Sequence, residues 1–166
     1  GVHTERGTVE CEKVVLAAGL WGRELAAKAG VTVPLQAAEH YYLLTEPIEG
    51  VTPEGVPVIE DPEAYGYYRE EGGGLLVGMF EPVGKAWALD GTPRDSAFAV
   101  LPPDWDRMAP FLERAMSRFP ALEDAGIRTL FCGPESFTDD LGPMLGESPE
   151  VAESLLSTQG TAAQKR

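Results

Sequence analysis

The sequence predicts an α+β fold: a mixed, largely antiparallel sheet with flanking helices, joined to a remnant of an α/β domain. Three observations carry this. Residues 10–22, ECEKVVLAAGLWG, set a short apolar run directly before Gly19 and a helical pattern, the way a strand feeds a helix in a parallel sheet. From Val33 onward, strand-like runs follow one another across turn signals with no helical pattern between them, the texture of antiparallel strands. Residues 102–122 then hold one long amphipathic helix. The expected boundaries are 1–34 for the α/β remnant, 35–132 for the antiparallel domain, and 133–166 for a segment returning toward the first.

Whole-chain properties narrow the function classes. With 166 residues, 43% of them hydrophobic, the chain can bury a core. Its 13 Lys and Arg against 27 Asp and Glu give a net charge of −14, spread along the chain. Such a field repels phosphate backbones and weighs against a nucleic-acid partner. No apolar run reaches the roughly 18 residues of a membrane span. The start, GVHTERG, lacks the regions of a secretory signal, so a soluble chain away from the membrane is expected. Cys11 and Cys132 lie far apart without a CxxC and read as small buried thiols in a reducing compartment. His3 and His40 are the only imidazoles, too few for a multi-histidine metal site.

Taken in order, Val14 to Ala18 reads as a strand covered on both faces, ended by Gly19. WGRELAAKAG follows as a helix with Trp21, Leu25 and Ala29 on one face and Gly30 as its stop. Such a unit needs strands to pair with, and these are expected to precede Gly1, which makes the chain a fragment. LQAAEHYYLLTEPI is a strand closed by Pro47, with Tyr41, Leu43 and Thr45 on one face and Tyr42 and Leu44 on the other. VPVIEDP and YGYYREEGGGLLVGMF supply further strands, and Gly72, Gly73 and Gly74 mark a hairpin. The long helix is expected to bury Trp105, Met108, Leu112, Ala115, Met116 and Phe119, with Asp104 as its cap. Pro110 removes a backbone donor at a cost of about 3 kcal/mol and predicts a kink or a later start. IRTLFC, residues 127–132, is the next strand. It leads into GPESFTDDLGPMLGESPE, an acidic stretch read as the end of a strand turning back, in which Ser136 and Thr138 bond the turn while Gly142 and Gly146 permit its bends.

VVLAAGLWGRELA resembles the strand and turn found late in the FAD-binding domain of the D-amino-acid oxidase-like superfamily. CGPESFTDDLGPMLGESPE resembles the GPESFTPD…P…GE.PE segment of the sarcosine and dimethylglycine dehydrogenase branch, and EHYYLLTEPI, YYREEGGGLLVG and the DWDR helix come in that family's order. The resemblance covers nearly all of residues 8–151. It implies that residues 1–34 close a Rossmann-like FAD-binding domain and residues 35–132 form the substrate domain. It also implies that the whole protein oxidises an N-methylated amine, such as sarcosine or dimethylglycine, by hydride transfer to FAD. Tetrahydrofolate is implied as an acceptor of the one-carbon unit in the full-length protein. The implied location is the cytoplasm in a bacterium and the mitochondrial matrix in a eukaryote. Two alternatives remain: a non-catalytic relative like the pyruvate dehydrogenase phosphatase regulatory subunit, and an FAD-dependent amino-acid oxidase.

The resemblance places cofactor contacts at Ala17, Ala18, Gly19 and Trp21, where small residues let the backbone approach a ligand; packing in the following helix is the competing role of Trp21. His40, Tyr41 and Tyr42 fall where the family's substrate strand faces the flavin and are the catalytic candidates, with packing as the alternative for the tyrosines. Tyr68, Arg69 and Glu135 are candidates for substrate binding, Arg69 as a bidentate clamp on a carboxylate, with an ion pair to Glu70 or Glu71 as its alternative. Glu135 stands where amino-acid oxidases of the superfamily carry an arginine. A carboxylate cannot clamp a carboxylate at neutral pH, which favours the methylated-amine branch; Glu147 and Glu150 are expected to be solvated. Asp139 and Asp140 replace the family's Pro-Asp, freeing one φ angle. The G-x-G-x-x-G fingerprint is absent, and residues 151–166 depart from the family's closing strand and glycine-rich segment, with STQG its trace. The 166 residues alone are therefore expected to bind FAD weakly or not at all.

Overall fold

The computed structural model describes residues 1–54, 57–151 and 154–158. In chain order the strands are β1 (Val2–Thr4), β2 (Gly7–Val9), β3 (Val14–Leu16), β4 (Leu35–Thr45), β5 (Ile59–Asp61), β6 (Gly66–Glu71), β7 (Gly74–Met79), β8 (Lys85–Ala86), β9 (Ile127–Thr138), β10 (Met144–Glu147) and β11 (Ser154–Thr158). The α-helices are α1 (Gly22–Lys28) and α2 (Trp105–Arg118). The chain forms two compact units. One holds the described residues of Gly1–Ala38, Ala86–Ala97 and Glu135–Ala162, the other the described residues of Glu39–Lys85 and Phe98–Pro134.

In the first unit β3 pairs in parallel with β11, Val14 opposite Ser154 and Leu16 opposite Leu156, and β11 pairs antiparallel with β10. One parallel partner of β3 thus comes from late in the chain, a pairing not foreseen from the sequence. A strand also forms where residues 151–166 were expected to depart from one, and Gln159 and Gly160 of STQG lie outside the described residues. Leu16, Met144 and Val151 pack on a small core of Ala26, Val31, Val33 and Leu35. Val15 points the other way and is 61% exposed, so among the described residues β3 is covered on one face and not on two. Helix α1 turns Gly22 and Ala26 inward and leaves Leu25 exposed, against the expected face, because glycine and alanine allow closer approach to the core. Gly30 ends it at φ 78°, its N–H donating to the Ala27 carbonyl at 3.1 Å. Cys11 is exposed and not buried as expected, while Cys132 is buried.

Residues 86–97 are tied to this unit by polar contacts. The Trp87 N–H donates to the Ala37 carbonyl and Gln36 Nε2 to the Trp87 carbonyl, both at 2.8 Å. The Thr92 N–H donates to Glu24 Oε1 at 2.9 Å, and Trp21 Nε1 to the Pro93 carbonyl at 2.8 Å.

The second unit holds most of a sheet with strand order β5-β6-β7-β4-β8, with β9 paired to β4. Its β5-β6, β6-β7 and β7-β4 pairs are antiparallel. Strands β6 and β7 are joined by Gly72 and Gly73 at φ 62° and 83°, the left-handed pair that a type I′ hairpin needs. The two-residue period sorts the side chains as the sequence predicts. Tyr41, Leu43, Tyr68, Val77 and Met79 face a core completed by Met108 and Ala115 of α2 and by Leu130 and Cys132 of β9. Helix α2 begins at Trp105 with Asp104 Oδ1 accepting the Arg107 N–H at 3.1 Å, and it runs through Pro110 without a break. Pro110 is exposed, which leaves the carbonyl it cannot bond open to water. Trp105, expected in the apolar face, is 46% exposed. Strand β9 continues past the expected residues 127–132 through Pro134 to Thr138.

Candidate functional site

On the sheet face turned away from α2, the β-strand register brings residues from distant parts of the chain together. Tyr42 lies opposite Gly78, and Gly78 opposite Tyr67. Gly78 gives the Tyr67 ring its place: a Cβ there would stand 1.8 Å from Tyr67 Cζ. The ring lies 5.0 Å from that of Phe80, and Tyr42 stacks on Phe131 at 4.8 Å. His40, buried at 7% exposure, sets Nε2 3.0 Å from the Tyr67 hydroxyl, the two rings nearly parallel at 10°. On its other side, Nδ1 lies 3.4 Å from Oε2 of Glu81, itself buried. An imidazole between a carboxylate and a phenol can accept or release a proton at a defined atom.

The opposite face carries a second polar group. Glu39 is buried; its Oε2 accepts the Tyr41 hydroxyl and the Cys132 thiol, the latter at 4.0 Å, and its Oε1 pairs with Lys85 Nζ at 3.0 Å. Burial, then the bond to Glu39, pushes the Tyr41 phenol well above the ordinary tyrosine range, and burial pushes the Cys132 thiol up.

The sheet therefore separates the three catalytic candidates. His40 and Tyr42 share the aromatic face, whereas Tyr41 is fully buried in the core. Tyr68 is in that core too, its ring 4.7 Å from Phe119, so both tyrosines take the packing alternative. Arg69, on the Tyr67 face of β6, pairs with Glu71 at 2.8 Å, the alternative foreseen for it, with half of its side chain exposed. Glu135 lies in the last third of β9, half-buried, in the other unit. Thr138 bonds the acidic turn as expected, donating to the Gly142 carbonyl at 2.9 Å. Glu150 accepts from Ser148 Oγ at 2.7 Å and from the Thr32 N–H at 3.4 Å, contacts that hold its carboxyl below the usual range.

In the first unit, Ala17, Ala18 and Gly19 follow β3 at its C-terminal end, Ala17 and Gly19 exposed and Ala18 half-buried. Gly19 has φ 53°, and among the described residues nothing lies within 4 Å of the point where a Cβ would sit. Trp21 is half-buried, its indole N–H spent on Pro93. Tyr67 and Glu81 were missed in the sequence reading. The alternation that puts Tyr67 opposite Tyr68 was a usable signal, but nothing near Glu81 marks it. Among the described residues no His, Cys, Asp and Glu cluster forms a metal site.

Residues 1–161 match the family model described as FAD dependent oxidoreductase. The chain is 44% identical over 152 residues to the 4-methylaminobutanoate oxidase (formaldehyde-forming) of Paenarthrobacter nicotinovorans, covering 92% of this chain and 18% of that protein. It is 40% identical over 150 residues to mitochondrial sarcosine dehydrogenase of Mus musculus, covering 90% and 16%. Against the mitochondrial pyruvate dehydrogenase phosphatase regulatory subunit of Mus musculus it is 38% identical over 153 residues, covering 91% and 17%. The chain thus spans less than a fifth of the length of these relatives. The solved L-proline dehydrogenase of P.horikoshii shares its fold, with a TM-score of 0.74 at 19% identity over 98% of this chain and 41% of that one.

Proposed function

Because the chain belongs to the FAD dependent oxidoreductase family, we propose that it is part of a flavoenzyme that oxidises an N-methylated amine such as sarcosine, dimethylglycine or 4-methylaminobutanoate. The observation that carries the substrate class is the identity of 40% or more with two enzymes whose named substrates are N-methylated amines bearing a carboxylate. In this reading the first unit is the closing part of the FAD-binding domain and the second unit the substrate domain.

The residues after β3 fit such a cofactor. An exposed turn of small residues at the C-terminal end of a parallel strand, with open space at Gly19, is where α/β sheets take ligands. Ala17, Ala18 and Gly19 would hold the flavin nucleotide by backbone approach, and Trp21 supports the turn from behind through Pro93. FAD, when bound, supplies the hydride acceptor. The chain's own task is to bind the amine, orient it and take its proton.

That last role falls to His40 and Tyr67. A protonated amine has no lone pair to develop into the iminium product, so a proton must leave before the C–H bond breaks. The Tyr67 hydroxyl, backed by His40 Nε2 at 3.0 Å, is a route for that proton, and Tyr42 with Phe131 offers an aromatic wall for N-methyl groups. Arg69 binds the substrate carboxylate by exchanging it for Glu71, an exchange that a half-exposed pair permits at small cost. Glu135, in place of an arginine, disfavours amino-acid oxidation. The one-carbon product leaves as formaldehyde or passes to tetrahydrofolate, in the mitochondrial matrix of a eukaryote or the cytoplasm of a bacterium.

The test is anaerobic addition of each of the three amines to the natural protein that contains this chain, loaded with FAD. Bleaching of the flavin by at least one amine, and not by an unmethylated amino acid, is expected. No bleaching by any would overturn the reading and leave the non-catalytic regulatory one, which the 38% identity to the phosphatase regulatory subunit favours.

A further inference from the structure

Glu81 sits just past the end of β7, its side chain only 6% exposed. Among the described residues its Oε1 is buried with no hydrogen-bond partner. Burying a carboxylate with one oxygen unsatisfied costs free energy that an apolar side chain of the same size avoids, so packing does not account for it. Its Oε2 is turned to His40 Nδ1 at 3.4 Å, and His40 Nε2 faces the Tyr67 hydroxyl at 3.0 Å. A neutral imidazole has one N–H and one acceptor nitrogen, whereas an ionised carboxylate only accepts. The proton therefore belongs on Nδ1, toward Glu81, and Nε2 is the acceptor for the Tyr67 hydroxyl.

We infer that Glu81 is a positioning residue that fixes the His40 imidazole with its proton on Nδ1, so that Nε2 accepts from the Tyr67 hydroxyl and is placed to take the phenol proton. The opposite tautomer would aim an N–H at the Tyr67 oxygen and remove the acceptor for the phenol proton. A carboxylate fixing a histidine in this way is a general means of setting which ring nitrogen does the work. The catalytic consequence rests on the reading of His40 and Tyr67 as the amine-facing pair; the tautomer itself does not.

The chain has two histidines, so a His3→Ala background leaves one imidazole whose two ¹⁵N shifts report the tautomer directly. At a pH where the ring is neutral, wild-type Glu81 is expected to give predominantly the Nδ1–H form. Glu81→Leu is expected to shift the majority to Nε2–H, and Glu81→Gln, whose amide oxygen still accepts, to restore Nδ1–H. In the FAD-loaded natural protein kcat for the N-methylated amine should fall roughly tenfold or more in the Leu variant with KM nearly unchanged, and recover in the Gln variant. A wild-type spectrum dominated by Nε2–H overturns the inference even if the Leu variant does not fold, as does a Leu variant that keeps Nδ1–H. A tautomer that switches as expected while no N-methylated amine is turned over supports the positioning role and overturns the functional reading instead.

Discussion

At Gly78 the backbone of β7 passes directly beneath the Tyr67 ring, and the space is already used. A methyl group there would stand 1.8 Å from Cζ and 2.2 Å from Cε2, so Gly78→Ala must push the ring off its seat and away from His40. The expected cost is about 1–3 kcal/mol in chemical denaturation, as for overpacking elsewhere. The thiols give a second prediction at this scale. With Cys11 exposed and Cys132 buried, its thiol pushed up by burial, native protein should take one equivalent of an alkylating reagent and unfolded protein two, read by mass spectrometry. The same burial sets a pH dependence. Cys132 and Tyr41 stay protonated in the fold but are free to ionise on unfolding, so the native state binds more protons and stability falls as pH rises past about 8.5 for the thiol and about 10 for the phenol. Asp61 runs the other way. The Ala64 N–H first, and then Arg118, outweigh burial and hold its carboxyl low, so its contribution is present at neutral pH and is lost as pH falls through that depressed value. Denaturation midpoints across the alkaline and acid limbs check both signs.

Elements were legible where a local rule acts alone. The hairpin of β6 and β7 could be read from its glycines because only glycine readily takes the left-handed φ at both turn positions, 62° and 83°. Gly73→Ala should therefore cost about 1–2 kcal/mol, measured by thermal or chemical unfolding. The Asp104 cap of α2 was equally local, and Asp104→Ala should cost about 1 kcal/mol. Where a neighbouring element decides, the sequence misled. The inward face of α1 is Gly22 and Ala26 because a close-packed contact selects small residues, while hydropathy alone pointed to Leu25. Strand β9 runs on past Cys132 through the local breakers Gly133 and Pro134 to Thr138, as the reading of GPESF as a strand end requires, and its pairing with β4 is what carries it through them.

For the whole molecule, one parallel partner of β3 is the case in point: β11 reaches it from late in the chain, a pairing without any local trace. The chain has no glycine-rich dinucleotide fingerprint, so the 166 residues by themselves should pass through gel filtration without flavin absorbance, despite the open turn at Gly19. Retained flavin would mean that the turn binds FAD without a fingerprint loop for the pyrophosphate. The sequence by itself determined the family, the α+β class, the alternation of β4, the hairpin and the capped helix, because each depends on periodicity or on one residue's backbone freedom. Only the tertiary structure decided that Tyr41 and Tyr68 belong to the core. It alone brought Tyr67, 27 residues along the chain, and Glu81 to His40. Sheet pairing joins residues across strands at separations that carry no period, so the site around His40 exists only once the strands are in register.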